Sequence, residues 1–397
     1  MEPHLRSVSV LSAGVGAGHI RAGLAVQAEL QRRLPGGSVV KQDVLEHAGT
    51  SFRAMYRDAY VALASRTPRL IGWLYDRADE PWQNRWYAGL IERLALRRWM
   101  RELLRDPPEV AVCTHFLPAA MLCHLRRHHG LPTRIATVVT DLDVHGLWLG
   151  GRADVWCVAG EEAREIMVAA GVPAETVRVT GIPIHAEFAN LPDRDEARAQ
   201  LGIDGIRPLV LFSTGGCCLG PVERTFGQLL ALRDMATVVA ICGHNERARA
   251  SLAVMIPLGS EDRVKVVGFT TEMHRWMAAA DLLVGKPGGL TSSEARAAGL
   301  PMAAIHPIPG QEERNLAHLL EWGAAIACHT PATLAWRVRG LLQSPARLAV
   351  MRQAARASAR PHSTNDVANA VLELAASSAR AVHPAASVPS GAVPATA

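Results

Sequence analysis

The strongest constraint on this chain is an alternation. Short runs rich in β-branched residues recur along it, and most hand over to a stretch with helical periodicity. Six occupy the first half: RSVSVLSAG, SVVKQDVL, EVAVCTH, RIATVVTDL, DVWCVAG and VRVTGIP. After a stretch mixing Pro, Asp and Gly the pattern restarts, with PLVLFSTGG, ATVVAICG, RVKVVGF, DLLVGKPGG, PMAAIHP and AAIAC. Strands separated by helices pair in parallel, with the helices covering both faces of the sheet. The expected fold class is α/β: two Rossmann-like, doubly wound domains facing each other across a cleft. A chain of 397 residues is also too long for one ordinary core.

The expected boundaries are an N-terminal domain over 1–185, a linker at 186–206 and a second domain over 207–360. A helix at 361–379 can return to the first domain, and the low-complexity tail 380–397 is expected to be disordered. In doubly wound sheets ligands bind at the carboxyl ends of the strands, so the natural site is the cleft.

Composition narrows the class. The net charge of +5 comes without a dense basic run, which argues against a nucleic-acid partner and allows loose attraction to an anionic membrane surface. Seven cysteines, an odd number without zinc-finger spacing, sit largely in apolar runs and point to a reducing cytoplasm. No apolar stretch reaches about 18 residues and the N-terminus has no signal core, so no membrane span is expected.

Residues 51–104 lack a confident strand. They hold four of the nine tryptophans and all four tyrosines, interleaved with arginines. Aromatics and arginines together suit a surface facing lipid headgroups. A helical insertion packing its aromatics on the sheet explains the same composition, and the two are compatible.

Four strand-to-helix turns carry the chemistry. In SAGVGAGHIRAG, glycines including Gly16 and Gly18 let the backbone approach a ligand, and His19 opens a helix. An imidazole there is a candidate general base. The spacing only loosely matches a dinucleotide loop, for which Asp43 would be the ribose acid. In VVTDLDVHGLW, Asp141 ends a strand and is assigned to orienting or assisting a base, with His145 and Trp148 following. Asp141 and Asp143 also spell D-x-D, a pattern that chelates metals elsewhere, but no further ligand set accompanies it and no metal is expected. In LFSTGGCCLGPVERT, Gly215, Gly216 and the Cys217 backbone offer N–H groups to a phosphate. In LLVGKPGGLTSSEARAAGLP, Gly288 and Gly289 leave room for a ligand, Thr291 to Ser293 are positioned to cap the helix, and Glu294 can accept from a ribose diol. One strand later Gln311, Glu312 and Asn315 form a polar cluster suited to sugar hydroxyls.

GKPGGLTSSEARAAGLPM followed by PGQEERNLAHLLEWGAA resembles the donor half of the GT-B glycosyltransferases of family 28, in particular the monogalactosyl- and processive glucosyl-diacylglycerol synthases. SAGVGAGHIRA, TDLDVHGLW, VTGIPIHAEF and STGGCCLGPVE extend the resemblance over nearly the whole chain. It implies that Glu294 holds the ribose of UDP, that the Phe269–Thr270 turn reads uracil, and that Gly215, Gly216 and Cys217 meet the diphosphate. It places Gln311 and Glu312 on the donor sugar, and His19 on the acceptor side as base, with His145 and Trp148 on a T-D-x-x-x-H-x-x-W pattern.

The implied partners are a UDP-sugar and a lipid acceptor, diacylglycerol first. The reaction implied is inverting hexosyl transfer with no cofactor, by an enzyme on the inner face of the membrane. Three other readings stay open. They are a UDP-sugar epimerase or hydrolase, a transferase for a polyprenyl-linked or small acceptor, and a non-catalytic nucleotide-sugar or membrane-binding protein.

Overall fold

The computed structural model describes residues 5–56, 72, 73, 75, 77, 79, 86–213 and 221–382. All twelve expected strands are present. The first sheet holds β1 (Ser7–Ser12), β2 (Ser38–Asp43), β3 (Val110–Cys113), β4 (Arg134–Val138), β5 (Val155–Val158) and β6 (Val177–Val179), in the order β2-β1-β3-β4-β5-β6. The second holds β7 (Leu209–Ser213), β8 (Thr237–Ile241), β9 (Val264–Val267), β10 (Leu282–Gly285), β11 (Met302–Ala304) and β12 (Ala325–Ala327), ordered β12-β11-β10-β7-β8-β9. Every pairing is parallel. In the second sheet the order reverses between β7 and β10, so its switch point lies where the glycine turns leave the sheet.

The helices of the first domain are α1 (Ala17–Arg33), α2 (Trp86–Ala95), α3 (Arg97–Arg105), α4 (Phe116–His129) and α5 (Glu161–Ala169). Those that follow are α6 (Arg194–Leu201), α7 (Val222–Leu230), α8 (Glu246–Ala253), α9 (Met273–Ala279), α10 (Gly289–Ala297), α11 (Gln311–Glu321), α12 (Leu334–Leu342), α13 (Pro345–Ala357) and α14 (Ser363–Val382). β3, β4 and β5 are buried along their lengths apart from Arg134, because helices cover both faces. On one face Val26 and Leu30 of α1 meet Val367 and Val371 of α14, so the last helix crosses back to the first domain. On the other, Leu117 and Leu122 of α4 pack with Trp99 of α3.

The stretch read as a linker is partly helical and anchored. Asp193 caps α6 by accepting from the Glu196 N–H at 2.8 Å, and Gly202, with φ of 62°, ends it. Arg198, fully buried, donates to Asp281 at 2.6 Å and to the Ala279 carbonyl at 2.9 Å. This buried pair ties α6 to the second domain.

The aromatic–arginine segment divides. Trp99 is core, 1% exposed, and its indole N–H donates to Gln42 at 3.1 Å, so the expectation of a lipid-facing role fails for it. Trp73 is 57% exposed. Trp82, Tyr60 and the tail beyond 382 lie outside the described residues.

Candidate functional site

Four consecutive residues leaving β4 hold the two domains together. The Thr140 carbonyl oxygen lies where a Cβ on Gly289 would be, at 2.2 Å. Asp141 accepts from the Gln311 amide. The Leu142 N–H donates to Asn315 Oδ1 at 2.9 Å, a fully buried bond, and Asp143 meets Arg314 at 3.4 Å. The sequence reading gave Gly289 a ligand to admit and gave Gln311 and Asn315 a sugar. The structure shows that the space beside Gly289 admits the other domain, and that both side chains reach across the cleft. The D-x-D pair is likewise a cross-link, with Asp141 also accepting from the Trp148 indole at 3.3 Å and Asp143 from the Val144 N–H at 2.7 Å.

His19 stands in the first turn of α1, beside this strip. Its Nδ1 lies 3.0 Å from the Thr114 carbonyl and 2.7 Å from the Thr140 hydroxyl. A carbonyl only accepts, so Nδ1 carries the proton and Nε2 keeps its lone pair. The group that fixes the tautomer is therefore the Thr114 backbone carbonyl, with the Thr140 hydroxyl beside it. Asp141 was expected to orient the base, yet its hydrogen bonds come from Gln311 and Trp148, and it acts on His19 through its charge. Burial lowers the His19 pKa below the ordinary imidazole value, against the Asp141 charge and the Thr114 carbonyl, which raise it. Burial raises Asp141 above the ordinary carboxylate range. His115 packs edge-on against His19, with ring centroids 4.6 Å apart, and is held neutral by burial and then by His19.

His145, placed on the acceptor side by the sequence, is structural. Its Nδ1 accepts from the Leu147 N–H at 3.1 Å and its Nε2–H donates to the Tyr75 carbonyl at 2.7 Å, so both ring nitrogens are occupied. Trp148 is buried and holds Asp141. Tyr75, read from sequence as part of a lipid-facing set, lies against His145 with ring centroids 3.8 Å apart and planes tilted by 37°, and fills the space a Gly310 side chain would need. Asp79 accepts from the Gly146 N–H at 2.8 Å and pairs with Arg314 at 2.6 Å, a second bridge between the domains.

On the donor side, α10 begins at Gly289 with Gly288 as its N-cap, and no side chain caps it. The expected capping by Thr291 to Ser293 does not occur; these residues lie inside the helix, where Ser293 bonds back to the Gly289 carbonyl at 2.9 Å. Glu294 is 1% exposed. One carboxylate oxygen, Oε1, accepts from Arg21 of α1 at 2.5 Å; the other, Oε2, is buried without a partner among the described residues. Burial pushes its pKa up to about 6, and Arg21 opposes the rise. Glu312 accepts from the Ile308 N–H at 2.7 Å, and burial raises its carboxyl too.

Phe269 is 59% exposed and stacks on His244 with centroids 4.1 Å apart, leaving an aromatic face at the ends of β8 and β9. The Thr270 hydroxyl accepts from the Glu272 N–H at 3.0 Å, leading into α9. Gly16 is the N-cap of α1, and Gly18 approaches Leu290 of α10. Gly215, Gly216 and Cys217 lie outside the described residues. Asp43 Oδ1 accepts from the Gly14 and Leu45 N–H groups, each at 3.0 Å, and so braces the turn after β1.

Sequence reasoning missed Arg21, Thr114, Thr140, Asp79 and Arg314. Arg21 and Arg314 each follow a flagged residue within three positions, a signal that was present. Thr114 and Thr140 only terminate strands, and nothing local marks them.

Residues 19–184 match the sequence model for monogalactosyldiacylglycerol (MGDG) synthase. A processive diacylglycerol beta-glucosyltransferase of Staphylococcus saprophyticus is 31% identical over 283 residues, covering 70% of this chain and 71% of the relative. Among solved structures, MurG of Acinetobacter baumannii shares 20% identity with a TM-score of 0.59, covering 93% of this chain and 99% of that one. MnaA of S. aureus, solved with UDP, shares 13% identity with a TM-score of 0.61, covering 91% and 94%.

Proposed function

From the premise that the chain belongs to glycosyltransferase family 28, with the diacylglycerol glycosyltransferases, and has the GT-B fold, we propose that it moves a hexose from a UDP-sugar to diacylglycerol, with inversion. The observation that carries this reading is a meeting of the two domains. The first supplies His19, its tautomer fixed with Nε2 free of the proton; the second supplies Glu294, a buried carboxylate with one oxygen unpartnered among the described residues; and Arg21, two residues after His19 on α1, pairs with that carboxylate.

In this reading the donor lies on the second domain. Glu294 Oε2 accepts from the ribose, the aromatic pair of His244 and Phe269 flanks the base, and Glu312 and Gln311 border the hexose. The acceptor hydroxyl attacks the anomeric carbon from the first domain. As the new C–O bond forms, His19 Nε2 takes the hydroxyl proton, and the bond to the diphosphate oxygen breaks with its electron pair leaving on UDP. A positioned base of this kind contributes roughly 10²- to 10⁴-fold. The departing charge meets the N-terminus of α10 and the positive field of Lys286 and Arg224, both of which act on His306 beside them. Domain closure excludes water, which would otherwise hydrolyse the donor.

The membrane surface belongs to the same proposal. Leu90, Ile91 and Leu94 follow one face of α2 and are 44%, 54% and 59% exposed, next to Arg97, Arg98 and Arg101 of α3. An apolar stripe flanked by arginines suits an anionic lipid interface. No helix among the described residues is long and apolar enough to cross a membrane.

Intact-mass product analysis with UDP-glucose, UDP-galactose and UDP-N-acetylglucosamine over diacylglycerol vesicles tests the reading. A glycosylated lipid from one donor is expected. His19→Ala should bind UDP and lose turnover, and Glu294→Ala should lose UDP binding. Steady UDP release with no acceptor-dependent product would instead favour an epimerase or hydrolase.

A further inference from the structure

Among the described residues, Arg21 of the acceptor-side domain pairs with the donor-side carboxylate of Glu294. It lies two residues after His19, in the first turns of α1. Its guanidinium Nη2 contacts Glu294 Oε1 at 2.5 Å, with Arg21 42% exposed and Glu294 1%. The helices that carry the two residues touch at their N-terminal ends, where a Cβ on Gly18 would sit 3.8 Å from Leu290. Glu294 Oε2 is buried and has no hydrogen-bond partner among the described residues.

We propose that Arg21 is a positioning residue for the donor nucleotide: it fixes the Glu294 carboxylate through Oε1 and so presents Oε2 to a hydroxyl of the ribose. The inference rests on the donor reading of Glu294 given above and adds a residue from the opposite domain to it. A carboxylate has two acceptor oxygens, and engaging one with a charged donor leaves the other oriented and still ionised. An unpaired carboxylate buried this deeply would instead tend to neutralise and lose its value as an acceptor. The consequence is a link between domains. Donor affinity depends on a side chain of the acceptor domain, so the nucleotide is held tightly only while α1 and α10 are in contact.

The exposure of Arg21 screens the pair, which limits the expected effect to about tenfold. The test is calorimetric titration of the full chain with UDP and with 2′,3′-dideoxy-UDP. Arg21→Ala should bind UDP about 10-fold more weakly than the parent, and Arg21→Lys should recover part of that loss. With dideoxy-UDP, which offers Oε2 no hydroxyl, parent and Arg21→Ala should bind alike. Turnover at saturating donor should change far less than the donor KM. Equal UDP affinity in parent and Arg21→Ala would overturn the proposal. So would an equal loss with both nucleotides, because that result means a general structural defect. Glu294→Gln separates this failure from that of the donor site: if it binds UDP as the parent does, the carboxylate is not at the ribose and the underlying reading falls as well.

Discussion

Replacing Gly289 with alanine isolates the contact between domains from the stability of the helix that carries it. Gly289 opens α10, and its φ lies outside the left-handed region, so alanine suits the backbone and favours the helix by up to about 1 kcal/mol. The new methyl would stand 2.2 Å from the Thr140 carbonyl oxygen and 3.1 Å from Ile182 Cδ1. An ordinary carbon–oxygen contact is roughly 3.3 Å, so the β4 exit and α10 must part by about 1 Å. Overpacking of that kind costs roughly 1–3 kcal/mol. The same displacement stretches the Leu142–Asn315 and Asp141–Gln311 bonds, and with them the register between His19 and the donor. A misplacement of about 1 Å at reacting atoms can lower the rate on the order of 100-fold. Arg21 has a long, partly exposed stem and can follow Glu294, so UDP affinity should stay within about threefold. The assay is steady-state turnover on diacylglycerol vesicles, with UDP titration and circular dichroism on the same preparation. The expected result is a folded protein that binds UDP and turns over about 100 times more slowly. Parental kcat in folded Gly289→Ala would refute the idea that this closed arrangement is the catalytic one.

Two further outcomes are expected. Glu294 accepts from a hydroxyl more strongly when ionised, and its pKa is raised to about 6, so UDP affinity should be level at pH 7–8 and fall as the pH drops through about 6, a limb that Glu294→Gln should lack in titrations across that range. Trp99→Ala should cost roughly 3–5 kcal/mol in chemical denaturation because the indole is buried, whereas Trp73→Ala should stay within about 0.5 kcal/mol and weaken sedimentation with anionic vesicles.

The sequence by itself determined the two sheets. Each β-branched run is short and most hand over to a stretch of helical periodicity, and those are local properties that survive without knowledge of the partner strand. It also marked the glycine turns, His19 and Glu294, because strand exits in a doubly wound sheet must face the ligand. Tertiary structure decided how those residues are used. Gly289 looked like room for a substrate until the Thr140 carbonyl was seen in that space, and Gln311 and Asn315 looked free until the opposite loop was found on them. Trp99 and Trp73 share one composition-defined segment, yet one is core and the other is exposed. Periodicity reports which face of an element is buried. It carries no record of what the second domain brings to that face, and pairings such as Arg21 with Glu294, separated by 273 residues, exist only once the chain has closed on itself.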